Sequence, residues 1–394
     1  MPEPVYAMHI HPLDEHLVAS GGGDDKMYLW RSDTGDTVRV FGGHADSVVS
    51  VKFSANGEFV ASGGMDGKVL VYRSATGELA VELEGPDEVV VSWERSLAHF
   101  VFSPVREHWS SPKSFFSSHA TPLAVDRLAP EREHPPRRLF RRDDLDVVRY
   151  DSLLLPSATC PKVFSGHSGP VSAGRFTPDG KKIVSVSEDS SFVLWDPKTA
   201  SALLRLSGED ARFHTGSITC VAVNRESTLA ITGSEDGTAR LINLQSGVIL
   251  AALDNHSASI ESVGFCDTCV SLAQGVSLSA ANCDSMPCLT IPLVATAGVD
   301  GQVSIWDVQT FALRIVLTGH ADAVTQLAWH RLSPVLTTCS ADGTVLTWDA
   351  RSGECVSKQG GHFGAVLSLG VTADGRRAIS GGDDGVCLVF DLLQ

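Results

Sequence analysis

Four side chains that can take part in acid–base or hydrogen-bond chemistry stand at fixed separations in the stretch 166–196. They are His167, Ser185, Asp189 and Trp195. Histidine, aspartate and serine together could activate a nucleophile, as in a hydrolase. The same groups could instead satisfy one another's hydrogen bonds when buried. The aspartate accepts a hydrogen bond from the histidine, and the serine hydroxyl and the indole N–H continue the series of hydrogen bonds. The number of copies decides between these interpretations.

The spacing recurs along the chain. The histidine precedes the aspartate by 22 residues and the aromatic position by 28 (167, 189 and 195). The same spacing is found in His44/Asp66/Tyr72, His214/Asp236/Ile242, His320/Asp342/Trp348 with Thr338, and His362/Asp384/Phe390. Two partial matches are His256/Thr296/Asp300/Trp306, which contains 22 extra residues, and Ser20/Asp24/Trp30, which has no histidine. One catalytic site would not need so many copies, so these residues are interpreted as structural relays.

The relay residues lie in short segments that alternate in polarity. Between His167 and Asp196 these are Val171–Phe176, 183–186 and 192–195, separated by the turn sequences PDG and SEDS. Such segments predict three antiparallel strands, and their recurrence predicts a propeller or solenoid. The repeat resembles that of the WD-repeat family, in which the four landmark residues form one relay. The resemblance implies an all-β WD40 β-propeller.

We predict eight repeats in a single domain that spans 1–394. The 123 residues from His44 to His167 leave room for a degenerate copy with Gly85-Pro86, Asp144 and Tyr150 as its landmarks. The predicted repeats are approximately 1–41, 42–83, 84–163, 164–206, 207–251, 252–317, 318–359 and 360–394. An irregular insertion at 92–144 disrupts the third. The last repeat stops after its third strand and only residues 1–4 precede the first, so we expect incomplete ring closure.

A second insertion, at 266–290, contains the series Cys266, Cys269, Cys283 and Cys288. Four thiolates could hold a structural zinc ion. The last spacing is loose, however, and removing 22 residues restores the standard repeat length, so a surface loop with free thiols is the preferred interpretation. No phosphate-binding loop, dinucleotide fingerprint, zinc-protease motif or nucleophile elbow occurs. We therefore predict no cofactor, no metal and no enzymatic activity.

The formal net charge of −16 is spread over the chain. This charge disfavours nucleic acid and anionic membrane as direct partners and permits a basic polypeptide. The sequence has no long apolar run and no secretory signal, and its nine cysteines lack a disulfide spacing. We expect a monomer in the cytoplasm, with the nucleus as a further location.

Carboxylates beyond the relay aspartates cluster in the turns and loops that the repeat places on one face. These acids are Asp25, Asp46, Asp87, Glu88, Glu188, Glu235, Asp322 and Asp383. Several carboxylates on one face concentrate negative potential, which favours capture of a Lys/Arg-rich segment. The alternative is an acidic rim that only keeps the protein soluble.

Four stretches, 19–30, 163–196, 261–266 and 339–353, resemble the angio-associated migratory cell protein family, whose fungal members are ribosome-assembly factors. The resemblance implies a chaperone that holds a basic large-subunit ribosomal protein on its acidic face. Two departures are the missing acidic N-terminal extension and the disrupted third repeat. The alternatives are a signalling scaffold and a substrate receptor of a cullin-RING ubiquitin ligase, which the sequence WDAR at 348–351 would favour.

Overall fold

The computed structural model of the chain describes residues 3–84, 164, 166–208, 210, 212–266, 269–271, 277–278, 288–290, 292–331 and 333–392. Within these residues it contains thirty β-strands and no helix. It follows that no helix in this part of the chain is long and apolar enough to cross a bilayer. The predicted all-β class is confirmed.

The described strands form eight sheets, of which seven are the blades of the propeller, numbered one to seven in chain order. Blade one contains β1 (Val5–Ile10), β2 (Leu17–Gly22), β3 (Met27–Arg31) and β4 (Thr37–Phe41). Blade two contains β5 (Val48–Phe53), β6 (Phe59–Gly64), β7 (Lys68–Arg73) and β8 (Leu79–Glu84). Blade three contains β9 (Val171–Phe176), β10 (Ile183–Ser187), β11 (Phe192–Asp196) and β12 (Ser201–Leu206). Blade four contains β13 (Ile218–Val223), β14 (Leu229–Ser234), β15 (Ala239–Asn243) and β16 (Ile249–Leu253).

The remaining sheets follow the same plan with two differences. Blade five contains β17 (Ile260–Phe265), β21 (Leu293–Gly298), β22 (Gln302–Asp307) and β23 (Leu313–Thr318). A small sheet of β18 (Cys269–Ser271), β19 (Ser277–Leu278) and β20 (Cys288–Thr290) is inserted between β17 and β21. Blade six contains β24 (Val324–Trp329), β25 (Val335–Ser340), β26 (Val345–Asp349) and β27 (Cys355–Gln359). Blade seven contains β28 (Val366–Val371), β29 (Arg377–Gly382) and β30 (Cys387–Asp391).

Burial explains why the middle strands of a blade are continuously apolar. In blade three, β10 is buried along its whole length and β11 is buried as far as Trp195. One face of these strands packs on blade four, because Val184, Phe192 and Leu194 form one cluster with Ile218 and Val221. The other face is covered as well, since Ile183, Val193 and Trp195 pack with Phe164. The fourth strand, β12, is largely exposed. The core therefore lies mainly between neighbouring blades, with shared clusters that join blades one and two, each consecutive pair from three to seven, and seven and one.

The first strands of the blades lie side by side around the molecule. Contacts join them in the order β5, β1, β28, β24, β17, β13 and β9. Blade seven thus packs directly on blade one, where Met8 and Val18 meet Ile379. Blade seven has three strands in the described residues. The expected incomplete closure of the ring stays a prediction.

The described chain forms a seven-bladed propeller, and the predicted count of eight is not supported. The third predicted repeat, its insertion at 92–144 and its acids Asp87 and Glu88 lie outside the described residues. The insertion at 266–290 is not wholly a loop, because the backbone of β18 pairs with both β19 and β20. Sequence pattern alone did not reveal these pairs, since each spans two or three residues.

Candidate functional site

The candidate site is one face of the propeller, and buried relays hold its turns and loops in place. In blade three, His167 Nδ1 lies 3.4 Å from Asp189 Oδ1, and His167 Nε2 lies 2.7 Å from Ser185 Oγ. Trp195 Nε1 donates to the same Ser185 Oγ at 2.7 Å. Ser185 is fully buried and Trp195 almost so. The structure therefore brings all four predicted relay residues together.

Blades five and six repeat this geometry. In blade five, His256 lies 3.0 Å from Asp300 and 2.9 Å from Thr296, to which Trp306 donates at 3.1 Å. In blade six the corresponding distances are 3.4 Å for His320 to Asp342, 2.8 Å for His320 to Thr338 and 2.9 Å for Trp348 to Thr338. The 22 extra residues of blade five do not disturb its relay. The relay thus depends on residues at the two ends of the insertion and not on its length.

Blades two, four and seven contain the histidine, hydroxyl and aspartate without the tryptophan. The replacement in blade two is Tyr72, whose hydroxyl donates to the Gly42 carbonyl at 2.8 Å and not to the strand hydroxyl Ser62. Blade one contains no relay histidine, and its Asp24 accepts from Tyr28 at 2.5 Å. That hydrogen bond, with burial and the negative charge of Asp24, raises the pKa of Tyr28 to about 12.

A fifth relay member was missed by the sequence analysis. In blade three, Ser191 Oγ lies 2.7 Å from His167 Nδ1 and donates to Asp189 at 2.5 Å. Thr238 in blade four and Thr344 in blade six occupy the same position. The signal was available, because each is a hydroxyl residue two positions after a relay aspartate. These hydroxyls bind both the aspartate and the histidine, so they hold the turn to the loop.

Burial and hydrogen bonding set the protonation states of the relay. Burial lowers the pKa of His167, His214 and His320, although the neighbouring aspartates act in the opposite direction. Burial alone would raise the pKa of Asp189. Hydrogen bonds from Ser191 and the Ser168 amide outweigh the effect of burial and lower the pKa of Asp189 well below its usual value. The relays of blades three, four and six therefore combine a neutral imidazole with an ionised carboxylate near neutral pH.

The turns that hold the relay aspartates and the loops that hold the relay histidines form one continuous surface, which we call the relay face. A Cβ placed on Gly237 in the turn of blade four would lie 3.0 Å from the His256 carbonyl oxygen in the loop of blade five. The turn of blade five, at Gly301, likewise meets the loop of blade six at Asp322. The turns of blades four, five and six therefore lie against the loop of the next blade.

Six of the eight predicted acids lie on the relay face. Glu188, Glu235 and Asp383 directly precede relay aspartates, and their backbone N–H groups donate to the carbonyls of Pro170, Ser217 and Ala365. Asp46 and Asp322 lie in the loops before β5 and β24, and Asp25 lies in the turn of blade one. All are exposed except Asp25, which is half-buried. The other two, Asp87 and Glu88, lie outside the described residues.

The carboxylates of these six acids are not neutralised by neighbouring cations within the part of the chain that the structure describes. The relay aspartates are bonded to histidines and backbone amides, and Asp210, which also lies above blade four, is paired with Arg212 at 3.0 Å. None of the six forms an ion pair with a described basic side chain. The relay face therefore presents separate carboxylates that have no paired cation among the described residues.

The described residues contain no group of histidine, cysteine and carboxylate side chains arranged to hold a metal ion. Of the four cysteines in the insertion, Cys266 is buried in the core of blade five. Arg351, which belongs to the sequence considered for ligase docking, donates to Asp349 of its own turn at 3.1 Å. Its turn joins β26 to β27, at the opposite end of the strands from the relay face.

Comparison with known proteins agrees with this architecture. The family described as WD domain, G-beta repeat matches residues 35–73, 158–196, 211–243, 311–349 and 353–391. An uncharacterized WD repeat-containing protein of Schizosaccharomyces pombe is 29% identical over 98% of this chain and 84% of its own length. The human angio-associated migratory cell protein is 27% identical over 98% of this chain and 77% of its own length.

A solved structure has the same fold. Chaetomium thermophilum Sqt1, bound to the N-terminus of the ribosomal protein L10, superposes with a TM-score of 0.71. The two chains are 23% identical, with 99% of this chain and 97% of that chain covered. At this identity the likeness establishes a shared propeller.

Proposed function

Because the chain is a WD40-repeat protein homologous to the angio-associated migratory cell protein, we propose that it binds a basic protein segment on its relay face. The segment would belong to a large-subunit ribosomal protein, which the chain would escort during ribosome assembly. Its role would be that of a non-catalytic chaperone in the cytoplasm, with the nucleus as a further location.

The observation that carries the proposal is the set of carboxylates without a paired cation on one face of the described propeller. Several like charges at separate positions attract a segment of opposite charge and accelerate its capture. Carboxylates that have no intramolecular cation can form charge-assisted hydrogen bonds with arginine and lysine without first breaking an ion pair. The likeness to Sqt1, whose structure contains the N-terminus of ribosomal protein L10, supports this choice of client.

A charge-reversal experiment tests this proposal. The triple variant Glu188→Lys, Glu235→Lys, Asp383→Lys changes three exposed acids on the relay face. The matched control, Glu78→Lys, Glu226→Lys, Glu354→Lys, makes the same change in net charge at exposed residues in turns on the opposite face. The ligand is a fluorescent peptide with the N-terminal sequence of this organism's L10, and fluorescence anisotropy is the readout.

We expect the relay-face variant to bind the peptide about tenfold more weakly or worse, and the control variant to bind as the wild type does. Affinity of the wild type should also fall as salt rises, because the interacting charges are exposed. Equal binding by both triple variants, or no binding by the wild type, would disprove the proposed client site.

A further inference from the structure

One large apolar side chain on the relay face is almost completely exposed. Phe363 has 99% of its surface accessible to solvent. The same loop position, directly after the relay histidine, is occupied in the other blades by small or polar residues, namely Ala45, Ser168, Thr215, Ser257 and Ala321. Phe363 contributes nothing to the core, so its ring is available to a partner.

The backbone of Phe363 is fixed although its ring is free. Its N–H donates to Asp384 at 2.9 Å, and Asp384 lies 3.0 Å from the buried histidine His362. A fixed backbone presents the ring at a defined place on the relay face. A partner that stacks on the ring therefore does not have to order this loop first.

An exposed carboxylate lies beside this loop. The N–H of Asp383 donates to the Ala365 carbonyl at 2.8 Å, so the turn and the loop are held together on both sides of Phe363. A Cβ placed on Gly364 would lie 3.4 Å from Asp383 Cβ. Asp383 has no ion-pair partner among the described residues. An aromatic face and an unpaired carboxylate are thus presented from adjacent backbone segments.

We propose that Phe363 and Asp383 form an arginine-binding site on the relay face. A guanidinium group is planar, so it stacks on an aromatic ring while its N–H groups bond a carboxylate. An ammonium group is compact and strongly hydrated, and it gains less from such a ring. This site rests on the proposed function and adds to it a preference for arginine over lysine at the position of the client that meets blade seven.

The test uses the full chain and three labelled peptides of equal length. These are a short arginine–glycine repeat, the corresponding lysine–glycine repeat and the corresponding citrulline–glycine repeat, which keeps the planar group without its charge. The variants are Phe363→Ala, Phe363→Leu, Phe363→Trp and Asp383→Asn. Val356→Ala, at a 57% exposed residue on the outer strand β27, is the matched control. Phe363 is wholly exposed, so its replacement does not endanger folding.

We expect the wild type and Val356→Ala to bind the arginine peptide about two- to fivefold more tightly than the lysine peptide. Phe363→Ala, Phe363→Leu and Asp383→Asn should lose this preference, and Phe363→Trp should keep it. The citrulline peptide should bind weakly to all of them. A wild type without the preference, or a preference that survives in Phe363→Ala, would overturn the site. The L10 peptide measurement is independent, so binding of that peptide would then leave the proposed function standing.

Discussion

At the scale of single residues, the relay hydroxyl matters most because it serves two partners at once. Ser185 Oγ accepts from Trp195 Nε1, and its own proton is free to bond His167 Nε2. All three side chains are buried. Each buried polar atom depends on another, so removing the shared oxygen affects two groups.

The substitution Ser185→Ala should therefore destabilise the protein by about 1–3 kcal/mol, because it leaves the indole N–H and an imidazole nitrogen buried without a partner. Urea unfolding followed by tryptophan fluorescence gives the change in the free energy of unfolding. Thr37→Ala, at an exposed position of β4, is the control and should change it little. An unchanged unfolding midpoint in Ser185→Ala would show that the relay contributes no net stability.

The spacing of histidine, aspartate and aromatic residue was enough to predict these relays from sequence. It could not predict where Tyr72 directs its hydroxyl, because a phenol reaches farther than an indole N–H and bonds the Gly42 carbonyl instead. The exposure of Phe363 was also not predictable. An aromatic residue in a loop can pack inward or point outward with the same sequence signal.

At the scale of strands, the close approach of neighbouring blades depends on small residues beside the relay hydroxyls. Gly233 follows the relay residue Thr232 in β14, and a Cβ there would lie 2.6 Å from Ile260 Cγ2 in β17 and 2.7 Å from Cys220 Sγ in β13. Ile260 itself is fully buried between blades four and five. There is no free space at this junction for a larger side chain.

Gly233→Val should separate blades four and five and lower the free energy of unfolding by about 1–3 kcal/mol or more, since it overpacks a full core. Gly42→Ala is the matched control, because a Cβ at Gly42 meets no atom within 4 Å. Thermal unfolding of both variants against the wild type provides the measurement. If Gly233→Val were as stable as Gly42→Ala, the junction would have to be looser than the contact distances indicate.

The strands of the regular repeats were predictable because, in every repeat, the alternation of apolar and polar residues and the positions of the turn residues indicate the same strands. The number of blades was not predictable in the same way. The sequence argument filled the long interval after blade two with a degenerate repeat from length and a few landmarks, and length does not distinguish a blade from an insertion. Likewise, the three short strands within 266–290 have too few residues to show a period.

At the scale of the whole molecule, the aspartates of all six relays have lowered pKa values. Together they make the free energy of unfolding depend on pH. The aspartates are Asp66, Asp189, Asp236, Asp300, Asp342 and Asp384. For Asp342, burial opposes ionisation, but hydrogen bonds from the Ala321 amide and Thr344 prevail and lower its pKa to about 2. The folded state therefore favours the ionised carboxylates, which also hold the turns of the relay face.

Histidines contribute in the same direction but at higher pH. Burial lowers the pKa of His167, His214 and His320, and lowers that of His330 to about 4. The unfolded chain then binds more protons than the folded chain as the pH falls below 6.5, so stability decreases. The aspartates cause a second loss of stability as the pH falls from about 4 toward 2, again because the carboxylates are protonated first in the unfolded state.

We therefore expect the free energy of unfolding to be highest near neutral pH, to fall between about pH 6.5 and 4, and to fall more steeply below pH 4. Urea titrations at a series of pH values measure this profile. Asp342→Asn should be less stable than the wild type at pH 7, and the difference should shrink as the pH falls from 4 to 2, because the wild-type carboxylate becomes protonated there. A constant difference across this range would mean that Asp342 is not held ionised by its relay, and the electrostatic account of the relay face would lose its basis.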